Sequence, residues 1–125
     1  MYYAGGQKQI LERCVEEYSC EYNLILQYLN EYHTMVSLKD LSRHFGRSKF
    51  YISHMFKKTG GMSVREYCNH LKLEDAKRIL ISSDRSVTEI GLEVGFQDVS
   101  YFVNLFKKRY GNTPLQYRKQ YNKEL

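Results

Sequence analysis

Residues 95–118 read GFQDVSYFVNLFKKRYGNTPLQYR, and their order of apolar, basic and helix-ending residues indicates the local structure. Apolar side chains recur at Phe102, Leu105 and Phe106, which is the spacing of one face of an α-helix. Cations follow at 107–109, and a Gly-Asn-Thr-Pro sequence then ends the pattern, because glycine and proline stop helices. The stretch therefore predicts an amphipathic helix over 98–110 with a basic C-terminal end.

The same pattern occurs once more upstream. At an offset of 49 residues (95 − 46), three residues of the first copy reappear in the second: Ser37, Leu41 and Gly46 as Ser86, Ile90 and Gly95. At an offset of 50 (106 − 56), a longer run follows: Ile52, Phe56, Lys57, Lys58, Gly61, Ser63 and Tyr67 as Phe102, Phe106, Lys107, Lys108, Gly111, Thr113 and Tyr117. Each copy predicts a short helix, a turn with glycine and a second helix, which is a helix-turn-helix.

Capping motifs mark four helix starts. In each, a hydroxyl stands three residues before a carboxylate or an amide, so that both side chains can bond backbone N–H groups left unpaired at a helix start. The motifs are Ser37/Asp40, Ser63/Glu66, Ser86/Glu89 and Thr113/Gln116. Strand-type alternation is absent from the sequence. We therefore predict an all-α fold with helices at 7–17, 20–33, 38–45, 48–58, 63–82, 87–94, 98–110 and 114–122.

These helices are predicted to form four segments. They are an N-terminal leader or connecting helix at 1–19, a first helix-turn-helix subdomain at 20–62, a long linker helix at 63–82 and a second helix-turn-helix subdomain at 83–125. A helix of about twenty residues spans ~30 Å, close to the ~34 Å between successive major-groove faces of B-DNA. We therefore expect the linker helix to set the first reading helix, 48–58, and the second reading helix, 98–110, in adjacent major grooves.

Charge is unevenly distributed along the chain. Within the net charge of +5, residues 1–36 carry two cations and five glutamates, a net of −3, whereas residues 37–125 carry 17 cations and nine acids, a net of +8. A basic body is typical of proteins that bind polyanions, although ordinary surfaces also carry such an excess. Cys14, Cys20 and Cys68 form no Cys-x-x-Cys pair, which fits a reducing cytoplasm. No apolar run reaches the ~18 residues of a membrane span, so no membrane partner is expected.

Each reading helix has two predicted faces. The inward faces are Ile52, Met55 and Phe56 in the first helix and Phe102, Leu105 and Phe106 in the second. The outward stripes, spaced i, i+3, i+4 and i+7, are Phe50, Ser53, His54 and Lys57 in the first and Ser100, Val103, Asn104 and Lys107 in the second. Such side chains suit a major groove: Asn can bond an adenine edge, His and Ser can donate or accept, and Phe or Val can contact a thymine methyl. A lone His54 would be an ordinary surface histidine, but its place in a repeated stripe favours base contact.

Cations beside the reading helices are predicted to bind phosphates, which supplies salt-dependent affinity without sequence information. They are Arg47, Lys49, Lys57, Lys58, Lys107, Lys108 and Arg109. A pair of lysines on a helix is usually just part of its solvent-exposed face. Here the pairs recur at matching positions of the two repeats, which argues against a chance arrangement. The remaining histidines, His33, His44 and His70, have no ligand spacing with cysteines or acids, and no catalytic constellation stands out. We therefore expect no metal site, no cofactor and no enzyme activity.

Several motifs between Leu38 and Lys119 match a known family. They are Ser48-x-x-x-Ile52, Phe56-Lys-Lys-Thr-Gly-Gly-Met-Ser63, Leu73-x-x-Ala76-x-x-x-Leu80, Val87-Thr-Glu-Ile90, Val94-Gly-Phe96, Ser100-Tyr-Phe102, Gly111-x-Thr-Pro114 and Tyr117-Arg118. The segment resembles the DNA-binding domain of the AraC/XylS bacterial transcription regulators. The resemblance implies seven helices, two helix-turn-helix subdomains and sequence-specific promoter binding. It implies base contacts at Phe50, Ser53 and His54 in the first reading helix and at Val99, Ser100, Val103 and Asn104 in the second.

Some positions depart from the family pattern. Gly91 stands where alanine is usual, which costs up to ~1 kcal/mol of helix propensity. His54 and Lys72 stand where arginine is common, and the second outward stripe carries no Arg or Gln. The operator sequence therefore stays open, and so does the alternative that the second reading helix mainly grips the DNA backbone.

The resemblance implies a regulator that binds an asymmetric promoter site as a monomer and acts mainly by recruiting RNA polymerase in the bacterial cytoplasm, at the nucleoid. Repression of transcription is an alternative that the sequence does not distinguish from activation. The alternative hypothesis is a protein-interaction module in which only one unit contacts DNA, motivated by the apolar Val99 and Val103. A DNA-repair enzyme with a zinc–cysteine module is disfavoured because the cysteines do not cluster. Larger relatives carry a sensor or receiver domain before this unit, and we favour a fragment of such a regulator because residues 2–6 resemble a tag or cleavage remnant.

Overall fold

The structure is a computed structural model that describes residues 19–124. In that range the chain forms helices joined by turns: α1 (19–32), α2 (Leu38–Phe45), α3 (Lys49–Gly60), α4 (Val64–Ser82), α5 (Val87–Glu93), α6 (Val99–Tyr110) and α7 (Pro114–Glu124). The predicted all-α fold is confirmed, and the predicted helix at 7–17 lies outside the described residues. No helix in the described part is long and apolar enough to cross a bilayer.

An N-terminal unit contains α1, α2, α3 and the start of α4, as far as Tyr67. Its buried apolar side chains come from the faces that helical spacing predicts, and they are Ile25, Leu29, Leu41, Ile52, Met55, Phe56 and Val64. The ring of Phe56 lies 5.0 Å from that of Tyr22 and 5.9 Å from that of Tyr67. α2 ends at Gly46, whose φ of 66° lets the chain turn sharply toward α3.

A C-terminal unit contains α4 from Cys68 onward together with α5, α6 and α7. Its core consists of Leu73, Ala76, Leu80, Ile90, Val94, Phe96, Phe102 and Phe106. Leu73, Ala76 and Leu80 of α4 thus pack against α5 and α6 of the second repeat. Arg118 of α7 donates to the backbone carbonyl of Leu80 at 3.0 Å, which fastens α7 to the C-terminal end of α4.

The turn at residues 33–35 belongs, by its contacts, to the C-terminal unit. His33 is 9% exposed, and its Nε2 lies 2.5 Å from a carboxylate oxygen of Asp75 on α4. Thr34 lies against Gly95, the glycine between α5 and α6, so closely that a Cβ on Gly95 would be 2.6 Å from the Thr34 carbonyl oxygen. The turn at 33–35 therefore packs directly on the turn of the second helix-turn-helix.

The predicted caps lie at their helix starts. Both reciprocal bonds form at Ser37/Asp40 and at Thr113/Gln116, and the hydroxyls of Ser63 and Ser86 accept from the backbone N–H groups of Glu66 and Glu89. α6 begins with a cap that the four motifs did not include. The carboxylate of Asp98 accepts from the backbone N–H groups of Ser100 and Tyr101, at 2.9 and 3.3 Å. This cap holds the N-terminal turn of the second reading helix in place.

Candidate nucleic-acid interface

The first reading helix is α3. It begins at Ser48, whose hydroxyl accepts from the backbone N–H of Tyr51 at 3.0 Å. Ile52, Met55 and Phe56 face inward and are at most 2% exposed. The outward stripe is open to solvent: Phe50 is 80% exposed, and Ser53, His54 and Lys57 are exposed as well. The predicted division of α3 into a packed face and an open face is confirmed.

Phe50 and His54 lie one helical turn apart and place their rings side by side. The ring centroids are 6.0 Å apart and the ring planes differ by 8°. Together with Ser53, Lys57 and Lys58 they line a shallow depression on the outer surface of α3. The depression combines an aromatic wall, a hydroxyl, an imidazole and two positive charges. That combination suits the edge of a base pair beside a phosphate backbone.

The second reading helix, α6, is less open. Phe102 and Phe106 are fully buried, and Leu105, predicted to face inward, is partly buried against the same core. In the outward stripe, Ser100, Asn104 and Lys107 are exposed. Val103 is half-buried because it packs against the core cluster, and Val99 is half-buried as well. The two valines thus offer less surface to a ligand than helical spacing alone indicates.

All seven predicted phosphate ligands are exposed. They are Arg47 just before α3, Lys49, Lys57 and Lys58 on α3, and Lys107, Lys108 and Arg109 on α6. Five of them stand in the last turns of their helices, where the helix dipole favours positive charge. The Arg109 guanidinium also lies 6.0 Å from the ring centroid of Tyr110. Each reading helix therefore carries a basic C-terminal end, as the sequence predicts.

Arg47 differs from the other predicted phosphate ligands. It donates to the carboxylate of Glu21 on α1 at 2.7 Å, and its guanidinium lies 4.9 Å over the ring of Tyr51. The Tyr51 hydroxyl donates to the same carboxylate at 2.9 Å. Arg47 can therefore bind a phosphate only by sharing or exchanging its ion pair. Sequence reasoning missed Glu21, since a contact between residues 26 positions apart leaves no local pattern.

Titratable groups of α4 support the C-terminal end of α6. The Tyr110 hydroxyl donates to Glu74 at 2.7 Å, and this bond lowers the pKa of the Glu74 carboxyl. Burial, together with the same bond, raises the pKa of Tyr110. Burial lowers the pKa of His70, and the nearby charge of Arg109 lowers it further. The C-terminal end of α6 is thus joined to α4 through the bond from Tyr110 to Glu74.

Comparisons with known proteins agree with this geometry. A family model described as a helix-turn-helix domain matches residues 41–120. The chain is 37% identical over 105 residues to YijO, an uncharacterized HTH-type transcriptional regulator of Escherichia coli K12, in an alignment that covers 83% of this chain and 37% of that protein.

Solved structures share the fold. The C-terminal domain of the two-component response regulator YesN from Fusobacterium nucleatum is 37% identical, with a TM-score of 0.69 over 77% of this chain and 96% of that chain. The DNA-binding domain of AdpA, solved in complex with a target DNA, has a TM-score of 0.74 over 82% of this chain and 94% of that chain. Its identity is 21%, so that likeness is one of fold.

The chain spans less than half the length of the curated relatives it matches, 37% in the case of YijO. The matched family segment, 41–120, contains both helix-turn-helix turns, both reading helices and the whole of α4. YijO is named as an HTH-type transcriptional regulator, and the matching family model is a helix-turn-helix domain. The chain belongs to the AraC family of DNA-binding transcription regulators.

Proposed function

We propose that this regulator recognises a specific double-stranded promoter site with both reading helices, in adjacent major grooves. One observation carries the proposal: Phe50, Ser53 and His54 are exposed on the outer face of α3, opposite a fully buried apolar face. A helix with a packed inner face and a polar outer stripe is what a major groove accepts. Base contacts are assigned to Phe50, Ser53 and His54 on α3 and to Val99, Ser100, Val103 and Asn104 on α6.

Phosphate contacts are assigned to Arg47, Lys49, Lys57, Lys58, Lys107, Lys108 and Arg109. Each phosphate that a cation neutralises contributes ~0.9 to the slope of log affinity against log salt concentration, whatever the base sequence. The exposure of the lysines supports the assignment, and Arg47 takes part by sharing its bond to Glu21. In this division, the side chains assigned to base contacts supply specificity and the cations supply general affinity.

We further propose that the protein is an activator that recruits RNA polymerase at promoters of the bacterial nucleoid, in the cytoplasm. The likeness to the C-terminal domain of a response regulator supports a full-length protein in which a receiver or sensor domain precedes this unit. In such a protein, the N-terminal domain controls when the two reading helices engage DNA.

The division of labour is tested with two duplexes, one selected by the protein from a random library and one of unrelated sequence. His54→Ala should weaken binding to the selected duplex by about 1–3 kcal/mol, because it removes a base contact, and leave the unrelated duplex unchanged. Lys107→Ala should weaken both duplexes and reduce the salt slope by ~0.9. Lys119→Ala removes an exposed lysine of α7 outside the assigned set, and as the matched control it should change neither duplex.

If His54→Ala and Lys107→Ala have the same effect on both duplexes, the assignment of base and phosphate contacts is wrong. A footprint confined to one major groove would favour a second candidate function, a protein-interaction module in which only one unit contacts DNA. The half-burial of Val99 and Val103 favours this candidate, because it leaves α6 fewer side chains that reach base edges.

A further inference from the structure

The apolar ring of Phe50 is exposed to solvent among polar and charged side chains. It is 80% exposed and lies between polar and charged neighbours, on the face that the proposed function assigns to DNA. Its ring neighbour is His54, whose imidazole lies parallel to it rather than covering it. A phenyl ring held open to water on a binding face gains free energy only when a ligand covers it with apolar surface.

The major groove offers one apolar group to such a ring. Among the base edges that face this groove, the C5-methyl of thymine is the apolar one, and the other groups donate or accept hydrogen bonds. The phenyl ring of Phe50 has no polar atom and therefore cannot use those other groups. Its chemistry thus selects thymine.

The imidazole of His54 selects a different edge. A histidine imidazole carries an N–H that can donate a hydrogen bond, and Lys57 and Lys58 beside it carry only donors. Guanine presents two adjacent acceptors in the major groove, N7 and O6, whereas adenine presents a donor beside its N7. Because two lysine ammonium groups lie beside the imidazole N–H in this depression, guanine, with its two acceptors, fits it better than the other bases.

The spacing of the two rings limits where these bases lie. The ring centroids are 6.0 Å apart, which is less than two steps of the ~3.4 Å rise between successive base pairs. Resting on the proposed function of α3, we propose that the first reading helix recognises a thymine methyl with Phe50 and a guanine N7 with His54, within three consecutive base pairs.

The test uses atom-level changes in a duplex that the full chain has selected from a random library. Each thymine is replaced in turn by deoxyuridine, which removes only the C5-methyl, and each guanine by 7-deazaguanine, which removes only the N7 acceptor. One deoxyuridine should weaken wild-type binding about fourfold, as expected for one buried methyl group. One 7-deazaguanine within two base pairs of it should weaken binding about fivefold, as expected for one lost hydrogen bond.

Matched variants tie each atom to its side chain. Phe50→Ala should bind the thymine and deoxyuridine duplexes equally well, and His54→Ala should do the same for guanine and 7-deazaguanine. Leu24→Ala, which shortens an exposed apolar side chain of α1, should keep both wild-type sensitivities. Because Phe50 and His54 are exposed, both variants should retain the helical circular dichroism of the wild type, which is checked first.

The outcomes separate this inference from the function beneath it. If a duplex is selected but no deoxyuridine weakens binding, or if Phe50→Ala remains as sensitive as the wild type, the thymine assignment is wrong and sequence-specific binding stands. The equivalent result with 7-deazaguanine overturns the guanine assignment alone. If the chain enriches no duplex, the proposed function and this inference both fail.

Discussion

Each helix-turn-helix turn contains a glycine with positive φ, but the two glycines lie in different surroundings. Gly46 has a φ of 66°, and apart from the glycine and its two chain neighbours no heavy atom lies within 4 Å of the place a Cβ would occupy. Gly95 has a φ of 110°, and a Cβ there would lie 2.6 Å from the Thr34 carbonyl oxygen and 3.1 Å from Cε of Lys72. The first turn needs glycine for its backbone angle alone, whereas the second also needs it because residues 33–35 pack on it.

The interiors of the two repeats also differ: in the second, one residue is smaller and its neighbour is larger, so that the two changes in size compensate. Ser42 and Ile52 of the first repeat correspond to Gly91 and Phe102 of the second. A Cβ on Gly91 would lie 2.8 Å from Cδ2 of the fully buried Phe102. The loss of side chain at Gly91 therefore makes room for the larger ring. The sequence alone suggested only a cost in helix propensity, and the packing supplies the reason for that cost.

These differences indicate that the two copies of the helix-turn-helix are suited to different roles. The N-terminal unit has an unencumbered turn and a fully open stripe on α3, including Phe50. In the C-terminal unit, residues 33–35 cover the turn. The outward stripe of α6 is partly buried, since Val103 packs against the core. We therefore expect the C-terminal unit to tolerate substitution less well, and the N-terminal unit to carry more of the sequence discrimination.

The largest expected difference is between Gly95→Ala and Gly46→Ala. Gly95→Ala should lower the free energy of unfolding by about 3–5 kcal/mol, because strain at positive φ adds to a clash with backbone atoms of Thr34. Gly46→Ala should lower it by about 1–2 kcal/mol, since only the left-handed backbone angle opposes the methyl group. Urea unfolding followed by circular dichroism measures both values.

Equal losses for the two variants would break the comparison, because they would mean that the turn at 33–35 does not constrain Gly95. A variant Gly95→Ala that is too unstable to purify agrees with the prediction only if Gly46→Ala folds under the same conditions.

An intermediate effect is expected from exchanging the interior pair. Gly91→Ser should lower the free energy of unfolding by about 1–3 kcal/mol, because the new side chain overpacks the space against Phe102. In a Phe102→Ile background, which recreates the pair found in the first repeat, the same change should cost less by at least about 0.5 kcal/mol. A double-mutant cycle by urea unfolding measures this coupling.

The same cycle at the first repeat provides the control. Ser42 donates to the Arg47 carbonyl at 2.6 Å and so fulfils a different role from Gly91. Ser42→Gly should therefore be destabilising through loss of that bond, with or without Ile52→Phe. Strict additivity at Gly91 and Phe102 would show that the ring adjusts freely and that the two interiors are equivalent.

The sequence predicts the features that depend on residues three or four positions apart. Helix bounds, the four caps and the two faces of α3 follow from such spacing. The cap at Asp98 could have been found in the same way, since an aspartate directly before an apolar run is a common helix start. The pairs Arg47–Glu21 and His33–Asp75 join residues 26 and 42 positions apart, and no local pattern announces them. The half-burial of Val103 depends on the packed core in the same way.

The smallest expected effect is a change in the free energy of unfolding at acidic pH, and it is expected from the C-terminal unit alone. Tyr110 corresponds to Gly60 in the first repeat, where Tyr22 covers the glycine instead. The bond from the Tyr110 hydroxyl is the main cause that lowers the pKa of Glu74 in the folded protein. A carboxyl whose folded pKa lies below its unfolded value stabilises the fold above the unfolded pKa, and this contribution disappears as pH falls through the folded pKa.

Tyr110→Phe keeps the ring that packs 4.6 Å from Phe106 and removes only the hydroxyl. It should therefore be less stable than the wild type at pH 7, by less than about 1 kcal/mol because Glu74 is partly exposed and water screens it. The difference should shrink as the pH of the urea unfolding series is lowered below 4, since protonated Glu74 no longer gains from the bond. Tyr101→Phe removes a hydroxyl that accepts from the neutral amide of Asn69, so its effect should stay constant over the same pH range. If Tyr110→Phe is still less stable than the wild type by the same amount at pH 3, the hydroxyl stabilises the fold by packing and not through the charge of Glu74. This distinction between the two units would then be wrong.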